Sequence, residues 1–207
     1  RDGSAHKDHA VARTVYDLDY LLARMAGGEA YDWYYANDMD RALQNRLPIT
    51  DGSYSKPWVW RAKDLWGWWS NPHVERVNGI ELGQSTAWQP QSKPIWLTEI
   101  GCPAVDKGAN TPNLFPDPKS SENALPYASS GMRDDMMALR FVEAVLRAFD
   151  SRMGFGAPVN PLKADGRARM IDEDHISFWS YDARPFPAFP QLQNQWADGQ
   201  TFATGHW

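Results

Sequence analysis

Lys93-Pro-Ile-Trp-Leu-Thr-Glu-Ile-Gly101 is the stretch on which the fold turns. It is short and apolar, carries β-branched Ile95, Thr98 and Ile100, and lies between Pro94 and Gly101. That composition predicts a buried strand over 94–100. A long segment rich in Pro, Asn, Ser and Gly follows, over 102–130. Next comes an amphipathic helix, expected over 131–150, with Met132, Met136, Leu139, Val142, Val145, Leu146 and Phe149 as its apolar face. Asp134 and Asp135 stand in its first turn and Arg147 near its last, the polarity the helix dipole favours. His175-Ile-Ser-Phe-Trp-Ser then reads as a second strand. Strand, loop, helix and strand make a βαβ unit, so the fold class is α/β with a parallel sheet. Two strands cannot close a barrel or cover a parallel sheet, so the partner strands are expected upstream of Arg1.

The rest of the chain is read more coarsely. Leu18, Leu21, Leu22 and Met25 carry helical spacing, Asp17 can cap the start and Gly27-Gly28 the end, which predicts a helix over 17–26. Further helices are expected over 38–46 and 61–70, the second closed by Asn71-Pro72. Residues 73–93 read as an irregular loop. Three prolines in Arg184-Pro-Phe-Pro-Ala-Phe-Pro190 argue against regular structure there.

Composition narrows the function. The 207 residues carry a formal net charge of −5 and no Lys/Arg run, which gives no electrostatic footprint for nucleic acid. One cysteine, Cys102, allows no intrachain disulfide. No apolar run approaches the ~20 residues of a membrane span. Eleven Trp, eight Tyr and eight Phe are the unusual feature, and the Trp cluster over 58–69. Flat indole faces suit the C–H faces of sugars, although most of these rings are better read as core.

Glu99 ends the best strand, and the reactive groups of β/α barrels stand at that end. Sugar hydrolysis needs a pair of carboxylates, ~5–5.5 Å apart in retaining and ~6.5–9.5 Å apart in inverting enzymes. A lone Glu at a strand end is as often an ion-pair partner or a cap. Its setting adds weight: Trp96-Leu-Thr-Glu99-Ile-Gly101 resembles the seventh-strand nucleophile motif of the large glycoside-hydrolase clan built on β/α barrels. In that clan the next strand commonly ends in a Trp that floors the sugar site. The resemblance assigns that role here to Trp179, and the catalytic nucleophile's role to Glu99.

Longer runs are closer still to one family. Lys93–Asn110, Asp117–Tyr127, Tyr31–Ala36, Trp68–His73 and Trp179–Pro190 resemble the glycoside-hydrolase-like TIM-barrel domain of gene transfer agent and phage tail (baseplate, "host specificity") proteins. The resemblance covers about 15–190. It implies that residues 1–207 are the C-terminal portion of a (β/α)8 TIM-barrel-like domain with extended loops, about its last third to half. It further implies a tail particle assembled in the bacterial cytoplasm and acting at the cell envelope. The partners would be other tail proteins and polysaccharide or peptidoglycan glycan. The clan's proton donor, a Glu ending the fourth strand, has no counterpart in this sequence. Glu29 is the nearest in wording, but it follows a helix. The alternative is a non-catalytic glycan-binding or structural baseplate module.

Other candidates carry less. Trp96 precedes Glu99, and Asp182 and Arg184 follow the last strand; these are candidate substrate contacts, with an Asp182–Arg184 pair as the plain alternative. Asp106 and Lys107 follow Glu99 and either line a cleft or form a solvated turn. His73 ends the Trp-rich helix, at the expected cleft mouth. Cys102 reads as a small buried hydrophobe, and His175 as a structural residue or a general acid. His6-Lys-Asp-His9 has metal-like spacing in a polar terminus that favours a solvated loop. No cofactor or metal is expected.

Overall fold

Ile95 N–H donates to Met170 O at 2.7 Å, and Trp179 N–H to Ile100 O at 3.0 Å. Residue numbers rise together along this pairing, so the two expected strands run parallel. The computed structural model describes residues 7–117, 120–179, 184–185 and 187–202. In chain order its elements are α1 (Leu18–Met25), β1 (Trp33–Tyr34), α2 (Asp38–Leu43), β2 (Leu47–Pro48), α3 (Leu65–Ser70), β3 (Val74–Val77), β4 (Ile80–Ser85), β5 (Ile95–Ile100), α4 (Asp135–Phe149), β6 (Ile171–Phe178), α5 (Ala188–Gln191) and α6 (Gly199–Phe202). The described strands form three two-stranded sheets, β1–β2, β3–β4 and β5–β6, and no closed barrel.

The chain divides into two units. The first comprises Arg1–Leu22, Leu97–Arg147 and His175–Trp207. Its core holds Leu21, Cys102, Val105, Met137, Phe141, Ala144, Val145 and Phe189. Asp17 caps α1 as expected, its carboxylate accepting from Tyr20 N–H at 2.9 Å. Helix α4 starts at Asp135 because Asp134 caps it, accepting from Met137 N–H at 3.0 Å. The other oxygen of Asp134 accepts from Tyr16 Oη–H at 2.7 Å. The buried face of α4 matches the expected one only toward its C-terminal end: Val145 and Phe149 are buried as expected, but Met132, Met136 and Leu139 are exposed, and Met137, Phe141 and Ala144 are buried instead. The helix carries two apolar stripes side by side, and periodicity alone does not choose between them. In the tail, α5 is a single turn, with Phe189 at a non-helical φ −87°, ψ 132°. Phe189 is nevertheless buried, edge-on to Trp196 and Phe202.

The second unit comprises Ala23–Trp96 and Ala148–Asp174. Trp69 is fully buried, and its indole N–H donates to Lys93 O at 2.6 Å. Asn160, also fully buried, donates to Phe149 O and Ile171 O and accepts from Ile171 N–H at 2.7 Å. That one amide satisfies three backbone groups that burial would otherwise strand. Lys63 performs a similar service where α1 ends. Its Nζ donates to Arg24 O at 2.8 Å and Gly27 O at 2.7 Å. Burial first, and then the Arg24 charge, push its ammonium down to about 8.

Three expectations are corrected in this unit. Residues 73–93 are not wholly irregular, because β3 and β4 form an antiparallel hairpin pairing Val77 with Ile80. Asn78 and Gly79 take φ 51° and 81°, the left-handed pair that a two-residue hairpin turn requires, and Asn-Gly is its strongest short signal. Helix α3 begins four residues later than the expected start at Arg61, because Asp64 caps it by accepting from Gly67 N–H at 2.8 Å. Helix α2 stops at Leu43, short of Arg46, where Gln44 turns to φ 57°.

Candidate functional site

The first unit places the ends of β5 and β6 side by side. Glu99 is the next-to-last residue of β5 and is exposed, and its carboxylate makes no hydrogen bond or ion pair among the described residues. Trp179 directly follows β6, bonded through its backbone to Ile100, and its indole is 56% exposed. Gly101 is what permits this approach: a Cβ there would lie 2.0 Å from Trp179 O. Glu99 and Trp179 therefore flank one junction where two strand ends nearly touch. The sequence uses Gly101 only as a strand stop; its role against Trp179 shows only once the strands are paired.

The loop after β5 is built around Asp106. Its carboxylate accepts from Ser129 Oγ, Ser130 N–H, Ser130 Oγ and Lys107 Nζ, each at about 2.9 Å, and from Met132 N–H at 3.2 Å. Burial works to raise this carboxyl, but the Lys107 and serine donors outweigh it and hold the group well below its ordinary range. Asp106 thereby ties the far end of the long loop to its beginning, and Val105 bridges Arg133 beside it. Cys102 is buried as expected, and burial with the Asp134 charge pushes its thiol up to about 12, the opposite of what a nucleophile needs.

The remaining candidates are distributed. Arg184 Nη1 bonds both oxygens of Asp198 at 2.9 and 3.0 Å, and its guanidinium lies 3.5 Å over the Phe189 ring. Asp182 and His6 lie outside the described residues. Trp96 is 56% exposed on the part of β5 that belongs to the second unit. His73 also belongs to the second unit, where its Nε2 bonds Trp68 O at 2.7 Å and its ring packs on Trp68 and Trp88. Glu29 pairs with Arg41 at 2.6 Å. Among the described residues, no group of three or more His, Cys, Asp and Glu side chains is arranged to hold a metal ion, and no helix is long and apolar enough to cross a membrane.

A parallel strand pair with a Glu and a Trp at its C-terminal ends, joined through an amphipathic helix, is a βαβ unit of the α/β class to which TIM-barrel-like domains belong. The family model for the gene transfer agent TIM-barrel-like domain matches residues 1–190, and the chain belongs to that family. A search of curated proteins gave no match. The chain is thus a gene-transfer-agent-related protein, of a family associated with virion-like particles.

Proposed function

We propose that this chain supplies the C-terminal portion of a (β/α)8 barrel in a tail protein, and that the complete barrel acts as a glycoside hydrolase on host cell-envelope polysaccharide or peptidoglycan glycan. The observation that carries this reading is the junction of Glu99 and Trp179 at adjacent parallel strand ends, closed by Gly101. A carboxylate there is placed to attack or stabilise an anomeric carbon, and an indole beside it to floor the sugar ring. Asp182 and Arg184 follow Trp179 in sequence and supply polar contacts. Asp106 acts through the loop it ties down. The acid partner comes from outside these residues. The partial barrel is supported by the sheet's having two parallel strands and by the exposed apolar side chains on α4, Met136 and Leu139, which further elements would cover. The particle's tail is where such an activity is needed, during passage through the envelope.

The second reading, a glycan-binding or structural module without turnover, is favoured by one observation: Glu99 is exposed to solvent and its carboxylate forms no ion pair among the described residues. Reducing ends released from host cell-wall material by the longer domain, and by its Glu99→Gln variant, separate the two. Hydrolysis predicts release that falls by several orders of magnitude in the variant. Equal binding with no release by either protein would leave only the module.

A further inference from the structure

The second unit contains a groove that owes nothing to Glu99. Trp58, Trp68, Pro72, His73 and Val74 line its apolar side, and Lys56, Arg76 and Glu81 its polar side. Its volume is about 260 Å³, just below the ~300–1,000 Å³ of pockets for drug-sized molecules. That is room for a ring-sized segment.

Its aromatic wall is held rigid while staying wet. His73 stacks on Trp88 at 5.5 Å and 13°, and the two pack against Trp68 at 4.5 and 5.0 Å. The His73 ring is fixed again by its bond to Trp68 O, which requires the proton on Nε2 because a carbonyl only accepts. Trp68 nevertheless leaves 43% of its surface exposed. Nearby, Trp60 is 56% exposed, and its indole N–H is pinned to Asp51 Oδ1 at 2.7 Å. Indoles already immobilised lose little freedom when a ligand stacks on them.

The polar wall is a closed lattice. Lys56 Nζ donates to both oxygens of Glu81 at 2.7 Å. Arg76 forks onto Asp51 and reaches Glu81 at 2.8 Å. The Arg76 bonds, aided against burial by those from Trp60 and Lys56 N–H, hold the Asp51 carboxyl well below its ordinary range. Glu81 in the lining and Asp51 outside it, bonded to Arg76, match the two cations, so the wall carries no surplus charge while presenting fixed donors and acceptors. A phosphate or polyanion needs surplus positive charge, which is missing here. A ring with an apolar C–H face and a rim of hydroxyls matches both walls.

We infer that this groove is a binding site for a neutral saccharide segment, independent of the strand-end site and of any hydrolysis. The test is calorimetric titration of the intact chain with the tetramers of β-1,4-linked glucose and of β-1,4-linked N-acetylglucosamine at millimolar concentration. Saturable binding of at least one tetramer is expected. Trp68→Ala should weaken it about tenfold, the loss of one stacking platform. Trp68→Phe should restore part of it, and Glu99→Gln should leave it unchanged. Lys56→Met, which spares the rings, should weaken it severalfold and guards against a Trp68→Ala chain that fails to fold. Failure of both tetramers to bind would overturn the inference. So would salt-sensitive binding of dextran sulfate in their place, or sedimentation showing that Trp68→Ala abolishes self-association of the chain. Hydrolysis by the longer domain that survives Trp68→Ala while tetramer binding weakens would separate this site from the barrel's activity.

Discussion

At the scale of single residues, the junction beside Glu99 depends on the smallest side chain available. Gly101 faces the carbonyl of Trp179 at a distance no Cβ tolerates, with no flexible side chain to give way. Gly101→Ala must therefore push the two strand ends apart. It should cost about 1–3 kcal/mol, read as a lower urea midpoint, and should stretch the Ile100–Trp179 bond. Unchanged stability, with the Trp179 amide as protected from hydrogen exchange as before, would show that the approach is not tight. Glu99 itself was legible in the sequence as a strand-end carboxylate. Asn160 was not: a lone Asn between Val159 and Pro161 gives no sign that three backbone bonds converge on it.

Among the elements, α4 shows how a helix is fixed at one end and chosen on one face. Asp134 spends one oxygen on the Met137 amide and the other on Tyr16. That bond, with burial and the Asp134 and Asp106 charges, raises the Tyr16 hydroxyl above its ordinary value. Asp134→Ala should lose about 1 kcal/mol for the cap and return the Tyr16 titration, followed by ultraviolet absorbance, toward that of a free tyrosine. Asp134→Asn should keep the cap and most of the stability. Equal melts for the Ala variant and the parent would exclude the cap. The position of α4 was readable from its apolar period, but its buried face only toward the C-terminal end. Met136 with Leu139 at i, i+3, and Met137 with Phe141 at i, i+4, both satisfy helical spacing, and only packing selects between them. The β3–β4 hairpin is the converse case. Asn78-Gly79 announced the turn locally, but the flanking strands, Val-Glu-Arg-Val and Ile-Glu-Leu-Gly-Gln-Ser, are short and charged enough to be read as loop.

For the molecule as a whole, the titration of Lys63 links stability to pH. Its folded-state value of about 8 lies below the ~10.4 of an unfolded lysine. Between those values the unfolded chain binds the extra proton, so stability rises with pH across that window and levels off above it. Thermal melts of the parent relative to Lys63→Met should diverge in the parent's favour from about pH 8 upward; parallel curves would refute the linkage. The sequence by itself determined the α/β class, the order of β5, α4 and β6, the Glu99 and Trp179 pair and the family, because strand composition, helical period and long motifs are local properties of the chain. Tertiary structure alone decided which stripe of α4 is buried, that Gly101 meets Trp179, that Asp106 ties its loop, and that Trp68, His73, Arg76 and Glu81 share one groove. Those are distances set by how turns and segments pack against one another, and no periodicity or composition encodes them.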